Sequence, residues 1–240
     1  MAENGVIHMA EPTVVLFDID GTLVTTGGAG RLAIERAFES EFGRPDACRH
    51  FRFDGLTDWA IARRALEFLG LEPEDDRIER LFEVYLRNLA KTVDEIEAHR
   101  YRIHPGMIEA VEAAHARNMA VGLGTGNIRR GAQIKLERVD LFHRFDFGGF
   151  GDDAEIRSAL IKIGAQRGAS RLGLTIAEVR IVIVGDTPHD VTAALAIGGQ
   201  CLAVSTGSFS IDELRAAGAT WAFESLASPG ALEALLGTDG

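Results

Sequence analysis

Cysteine is scarce in this chain: 240 residues carry only Cys48 and Cys201. Two thiols do not make a disulfide framework, and a reducing cytoplasm suits them. Lysine is scarce too for so charged a protein, with only Lys91, Lys135 and Lys162. No apolar run reaches the roughly 20 residues needed to span a bilayer. Met1 to Glu11 lacks a basic stretch followed by an apolar one, so no signal peptide is expected. Repeats and low-complexity segments are absent. Positive charge is in deficit: 25 Lys and Arg stand against 36 Asp and Glu, a net charge of −11 and a pI of about 5.1. Such a surface disfavours nucleic acid and anionic membranes as partners, so any anionic ligand must be met by local charge, a metal or helix N-termini. What remains is an ordinary globular composition, 46% hydrophobic and 25% charged. The length allows one large domain, or one domain with an insert.

The densest information lies in Val14-Val15-Leu16-Phe17-Asp18-Ile19-Asp20-Gly21-Thr22. Four apolar residues, two of them β-branched, predict a buried strand. It delivers two carboxylates spaced by two, which leave the same face. Gly21 permits a sharp turn, and Thr22 adds a hydroxyl. Like charges at the end of a buried strand repel unless compensated, and a divalent cation compensates them well. The pair suggests a metal ligand and nucleophile beside an acid/base.

Periodicity predicts the rest of the organisation. Thr25 to Gly30 is a glycine-rich connection with the character of a hinge. Helical stripes follow at Ile34, Ala37, Phe38 and Phe42, at Trp59, Ala62, Leu66 and Leu69, and at Ile78, Leu81, Phe82, Tyr85, Leu86 and Leu89. No strand pattern interrupts them up to about Arg102, so residues 26–103 read as an all-helical insert. Within it Trp59, Phe68 and Tyr85 are expected in its core, and Thr57 and Asp58 could reach towards the site. From His104 onward strands and helices alternate, with strands at 120–124, 145–149, 180–185, 201–205 and 220–223. This pattern implies a Rossmann-like, doubly wound parallel α/β sheet, built from residues 11–25 and 104–240. Ligands of such sheets sit beyond the carboxyl ends of the strands.

That rule gathers one constellation. Asp18 and Asp20 follow the first strand, Thr125, Gly126 and Asn127 the second, and Gly185-Asp186-Thr187-Pro188-His189-Asp190 the fourth. A phosphoryl group is anionic, so a bare carboxylate attacks it poorly; a cation between Asp18, Asp186 and a phosphate oxygen removes the repulsion. Oxygen ligands favour Mg²⁺. Thr125 and the Gly126 amide can hold phosphate oxygens at a helix N-terminus.

These three groups, with a basic residue between the second and the last, resemble in their order after successive strands the four motifs of the haloacid dehalogenase superfamily of aspartate-nucleophile hydrolases. The insert is similar to its C1-type helical cap, as in phosphoglycolate phosphatase-like members, and the likeness covers nearly the whole chain. The resemblance implies a Mg²⁺-dependent phosphatase of a small phosphorylated metabolite, a monomer or homodimer in the cytoplasm. It implies Asp18 as nucleophile and metal ligand, and Asp20 as acid/base with its backbone carbonyl on the metal. Asp186 becomes a metal ligand, Thr125 a phosphate ligand, and Asp190 an acid next to the metal or the basic residue. The third motif departs from the family's usual Lys-Pro. Its candidates are Arg157 and Lys162, five residues apart and so on different helix faces. Arg157, near the helix start, is favoured; Lys135 is expected to be solvated. His189 is expected to be a solvated loop residue, and Asp152 and Asp153 helix-end partners.

Four other readings stay in view. A phosphomutase would return the phosphoryl group to substrate. A dehalogenase would need no metal and normally lacks the second Asp. A phosphonate hydrolase would need a cap lysine, and Lys91 is the only one in the insert. A catalytically silent binding module has no need of the carboxylate set.

Overall fold

A computed structural model describes residues 11–237. The segment read for a leader lies almost wholly outside these residues. Strand β1 (Thr13–Phe17) is buried along its whole length, as its apolar run requires. Beside it lie β4 (Ala120–Gly124) and β6 (Arg180–Gly185), both parallel to it. With β5 (Gly148–Gly149), β7 (Gln200–Val204) and β8 (Trp221–Phe223) they form a six-stranded parallel sheet of order β5-β4-β1-β6-β7-β8. This is the doubly wound arrangement expected.

Alternation along β1 divides the core in two. Val15 and Phe17 pack on one face with helices α4 (Met107–Ala116), α5 (Arg129–Glu137) and α9 (Ala231–Leu236). Val14 and Leu16 pack on the other with α6 (Arg157–Arg171), α7 (Pro188–Ala196) and α8 (Ile211–Ala216). A third apolar cluster belongs to α1 (Ala29–Phe42), α2 (Asp58–Phe68) and α3 (Asp75–Glu95), the helical insert. Helix α3 buries Ile78, Leu81, Phe82, Tyr85 and Leu89, the stripe read from sequence. Thr57 caps α2 by accepting the Ala60 amide.

Two details differ from expectation. A short antiparallel ribbon, β2 (Val24–Thr25) with β3 (Arg102–Ile103), closes the base of the insert where only a flexible connection was expected. Two-residue strands leave no period to read. Phe68 is not in the insert core: it is 44% exposed and stacks on His50 with ring centroids 4.0 Å apart. Trp59 is half-buried, while Tyr85 is buried yet borders the cavity below. Among the described residues no helix is long and apolar enough to cross a membrane.

Candidate active site

The carboxyl ends of β1, β4, β6 and β7 open into one cavity of about 420 Å³, roofed by the insert. Asp18, Asp20, Thr125, Gly126, Arg157 and Asp186 all line it. Gly21 makes the turn after β1 with φ of 83°, a conformation that suits glycine. The space is also closed to a side chain, since a Cβ there would lie 2.4 Å from Asp186 Oδ2.

Three buried carboxylates meet at the centre: oxygens of Asp18, Asp186 and Asp190 lie within 4.8 Å of one another. Arg157 stands among them. Its Nη2 is 2.8 Å from Asp18 Oδ2 and 2.5 Å from Asp190 Oδ1, and its Nε is 3.1 Å from the same Asp190 oxygen. Lys162, the other candidate cation, is exposed on α6 and lies outside the cavity lining. Asp190 is fully buried, and its second oxygen accepts the Thr187 amide and hydroxyl in a capping box at the start of α7. Both Asp190 oxygens therefore have protein donors. Asp18 and Asp186 are less committed: Thr22 donates to Asp186 Oδ1 at 2.7 Å.

Electrostatics follow from this crowding. Burial pushes the Asp18 carboxyl up to about 6, against the pull of Arg157. Burial, with Asp190 and Asp18 alongside, raises Asp186 well above the usual carboxylate range. Burial works against the Arg157 charge, but Asp18 and Asp190 outweigh it and hold the guanidinium more firmly protonated than usual. Carboxylates this reluctant to ionise together, offering only oxygen, fit a hard divalent cation.

Asp20 also lines the cavity, with 42% of its side chain exposed. Burial alone would raise its pKa, but Lys135, Asn127 and Thr26 outweigh that and hold it below the ordinary value. Lys135 is thus a correction to the sequence reading. It is only 4% exposed, and its Nζ lies 2.6 Å from Asp20 Oδ2. A signal was present: Gly131, Ala132, Lys135 and Leu136 form the buried face of α5, so a lysine sits on an apolar stripe. Asn127 does not cap α5. Its Nδ2 donates to Asp20 Oδ2 at 2.9 Å and to Thr125 Oγ1 at 2.8 Å. The α5 amides instead meet carboxylates from elsewhere, Ile128 N donating to Asp58 Oδ2 at 2.8 Å and Arg129 N to Asp152. Asp153 accepts from the Phe150 amide and from Arg167.

Insert residues 53–58 meet the core at this rim. Asp58 N donates to Gly126 O at 2.8 Å, Thr57 Oγ1 to Glu155 O at 3.1 Å, and Arg157 Nη1 to Gly55 O at 3.4 Å. Burial raises Asp58 to about 6. His189 is exposed and packs beside Gly55, outside the cavity lining. Sequence reasoning missed Thr206, Gly207 and Ser208, which border the cavity after β7; the strand-end rule applied to that strand would have found them.

A sequence profile described as haloacid dehalogenase-like hydrolase matches residues 15–204. The chain belongs to that family. Among relatives of this hydrolase, a phosphoglycolate phosphatase from Synechococcus elongatus is 27% identical over 214 residues, 88% of this chain and 92% of that protein. A phosphorylated carbohydrates phosphatase from Thermotoga maritima is 28% identical over 198 residues, 77% of this chain and 81% of that one. The crystal structure of a hydrolase from Pseudomonas syringae superposes with a TM-score of 0.64, at 22% identity, over 90% of this chain and 94% of that chain. At that identity the likeness is one of fold.

Proposed function

We propose that this hydrolase is a Mg²⁺-dependent phosphatase that cleaves a small phosphomonoester through an aspartyl phosphate on Asp18. The observation that carries the reading is Asp18 itself, a buried carboxylate at the strand end with one oxygen held by Arg157 and Asp186 beside it. Family membership and the phosphatase relatives point the same way. Residues 26–103 act as the cap, and 11–25 with 104–240 as the catalytic core. The two unpaired cysteines agree with a cytoplasmic enzyme.

In this reading Asp18, Asp186 and the Asp20 main-chain carbonyl would hold the ion, with Asp190 behind them. When bound, Mg²⁺ would neutralise charge between Asp18 and the phosphoryl group. Arg157 holds Asp18 in place and adds positive charge beside the phosphoryl oxygens. Thr125 and the Gly126 amide grip the remaining oxygens. Asp20 gives a proton to the departing oxygen, then takes one from the water that hydrolyses the acyl phosphate. The cap excludes bulk water during both steps.

The test is a broad panel of phosphomonoesters with and without Mg²⁺. Phosphate release that needs Mg²⁺ and disappears in a folded Asp18→Asn protein is expected. Release unchanged in Asp18→Asn removes Asp18 as nucleophile. Isomerised substrate in place of free phosphate would make the protein a mutase.

A further inference from the structure

Lys135 sits on the cavity wall although it is almost fully buried. Its ammonium reaches two acceptors, Asp20 Oδ2 at 2.6 Å and Asn127 Oδ1 at 2.5 Å. Asn127 Nδ2 returns to the same Asp20 oxygen at 2.9 Å. Asp20 Oδ1 is treated differently: it accepts from the Thr26 hydroxyl at a longer 3.3 Å. One oxygen of Asp20 is therefore held by two donors, one of them charged, and the other is nearly free.

The lysine is fixed from several sides. Tyr101 donates its hydroxyl to the Lys135 carbonyl at 2.7 Å. Helix α1 passes so close that a Cβ on Gly30 would lie 3.2 Å from the ammonium. Burying an ammonium and ordering its four-carbon stem are both unfavourable. An apolar residue would continue the α5 stripe without that cost. The fold gives no reason for a lysine here, whereas the geometry of Asp20 does.

We propose that Lys135 is the positioning residue of Asp20: together with Asn127 it pins Oδ2 and leaves Oδ1 as the oxygen that exchanges protons with the reacting groups. This rests on the reading of Asp20 as acid and base. As the bond between an Asp18 oxygen and phosphorus forms and the ester P–O bond breaks, Oδ1 gives its proton to the departing oxygen. As water then attacks phosphorus, Oδ1 takes a proton from it. The bond from phosphorus to Asp18 breaks, and free carboxylate and phosphate result.

The experiment is rapid-mixing hydrolysis of p-nitrophenyl phosphate with Mg²⁺. Nitrophenolate leaves without a proton, so phosphorylation of Asp18 survives loss of a well-placed Asp20, while attack by water does not. Lys135→Met should give a burst of about one nitrophenolate per enzyme. A steady rate lower than wild type by about tenfold or more should follow. Lys135→Arg should recover part of that rate, and Asn127→Ala should show the same burst. Asp20→Asn is the control and should also burst. If Asp20→Asn bursts while Lys135→Met keeps the wild-type steady rate, or loses burst and steady rate in parallel, the positioning role is refuted. If Asp20→Asn turns over as wild type does, the acid/base reading falls and takes the proposal with it. Should Lys135→Met fail to fold, Lys135→Gln replaces it, and absence of a burst there is equally a refutation.

Discussion

Replacing Arg157 by methionine keeps most of the side chain's length and removes its charge. Asp18 and Asp190 would then both lose their cation, at positions where their side chains are 8% and 0% exposed. Removing one partner of a buried ion pair costs about 3–5 kcal/mol, because an uncompensated charge stays buried. The loss must depend on pH, since a carboxylate escapes by taking a proton. Burial pushes the Asp18 carboxyl up to about 6 in the folded, metal-free protein, against 3.8 in an ordinary setting. Its native pKa is raised, so the folded state binds the extra proton between those values and stability falls as pH rises through them. Without Arg157 that window moves higher, and the variant is penalised most above pH 6. Urea denaturation in EDTA should give a destabilisation of about 3–5 kcal/mol at pH 8. At pH 5 it should shrink by about half or more. Mg²⁺ at pH 8 should raise the variant's midpoint by mass action at the native site. The same destabilisation at both pH values would refute the placement of Arg157 as the counter-charge of Asp18 and Asp190.

Other outcomes follow from the same geometry. Asp58→Asn keeps an acceptor for the Ile128 amide and abolishes a carboxyl raised to about 6 by burial. Wild-type stability should fall relative to this variant by roughly 2–3 kcal/mol as pH rises from 4 to 7, measured by urea titration at each pH. A Cβ at Gly207 would lie 1.8 Å from Asp186 Oδ2, so Gly207→Ala should displace that carboxylate, the metal ligand of the proposed mechanism. Its half-saturating Mg²⁺ concentration should rise by roughly 10–100-fold in an activity titration. Lys162→Ala, altering an exposed residue, should leave kcat and KM as they are and change stability by less than about 0.5 kcal/mol.

The strand framework was legible because buried parallel strands are short apolar runs with no competing reading. Val14 to Phe17 and Ile181 to Val184 announce themselves, and the carboxylates beyond them mark the ligand end of the sheet. Arg157 was legible from its position at a helix start after a strand. Lys135 was not, because its burial is tertiary: α1 and the Tyr101 segment close over one face of α5, a helix whose other faces carry arginines and a glutamine. The stripe of Gly131, Ala132 and Leu136 was the local clue, diluted by that polar setting. The β2–β3 ribbon eluded sequence for a different reason, since its strands are too short to show alternation. Asp58, read from sequence as able to reach towards the site, bridges insert and core through the Gly126 carbonyl and the Ile128 amide; those partners, about 70 residues away, no periodicity encodes.

In the proposed reaction Asp18 takes the phosphoryl group covalently. Quenching the enzyme during turnover with Mg²⁺, reducing the acyl phosphate with borohydride and mapping the modified peptide tests it at one atom. Residue 18 alone should be converted to homoserine, and only when Mg²⁺ and substrate are both present. Conversion at another carboxylate, or full turnover with residue 18 intact throughout, would contradict it.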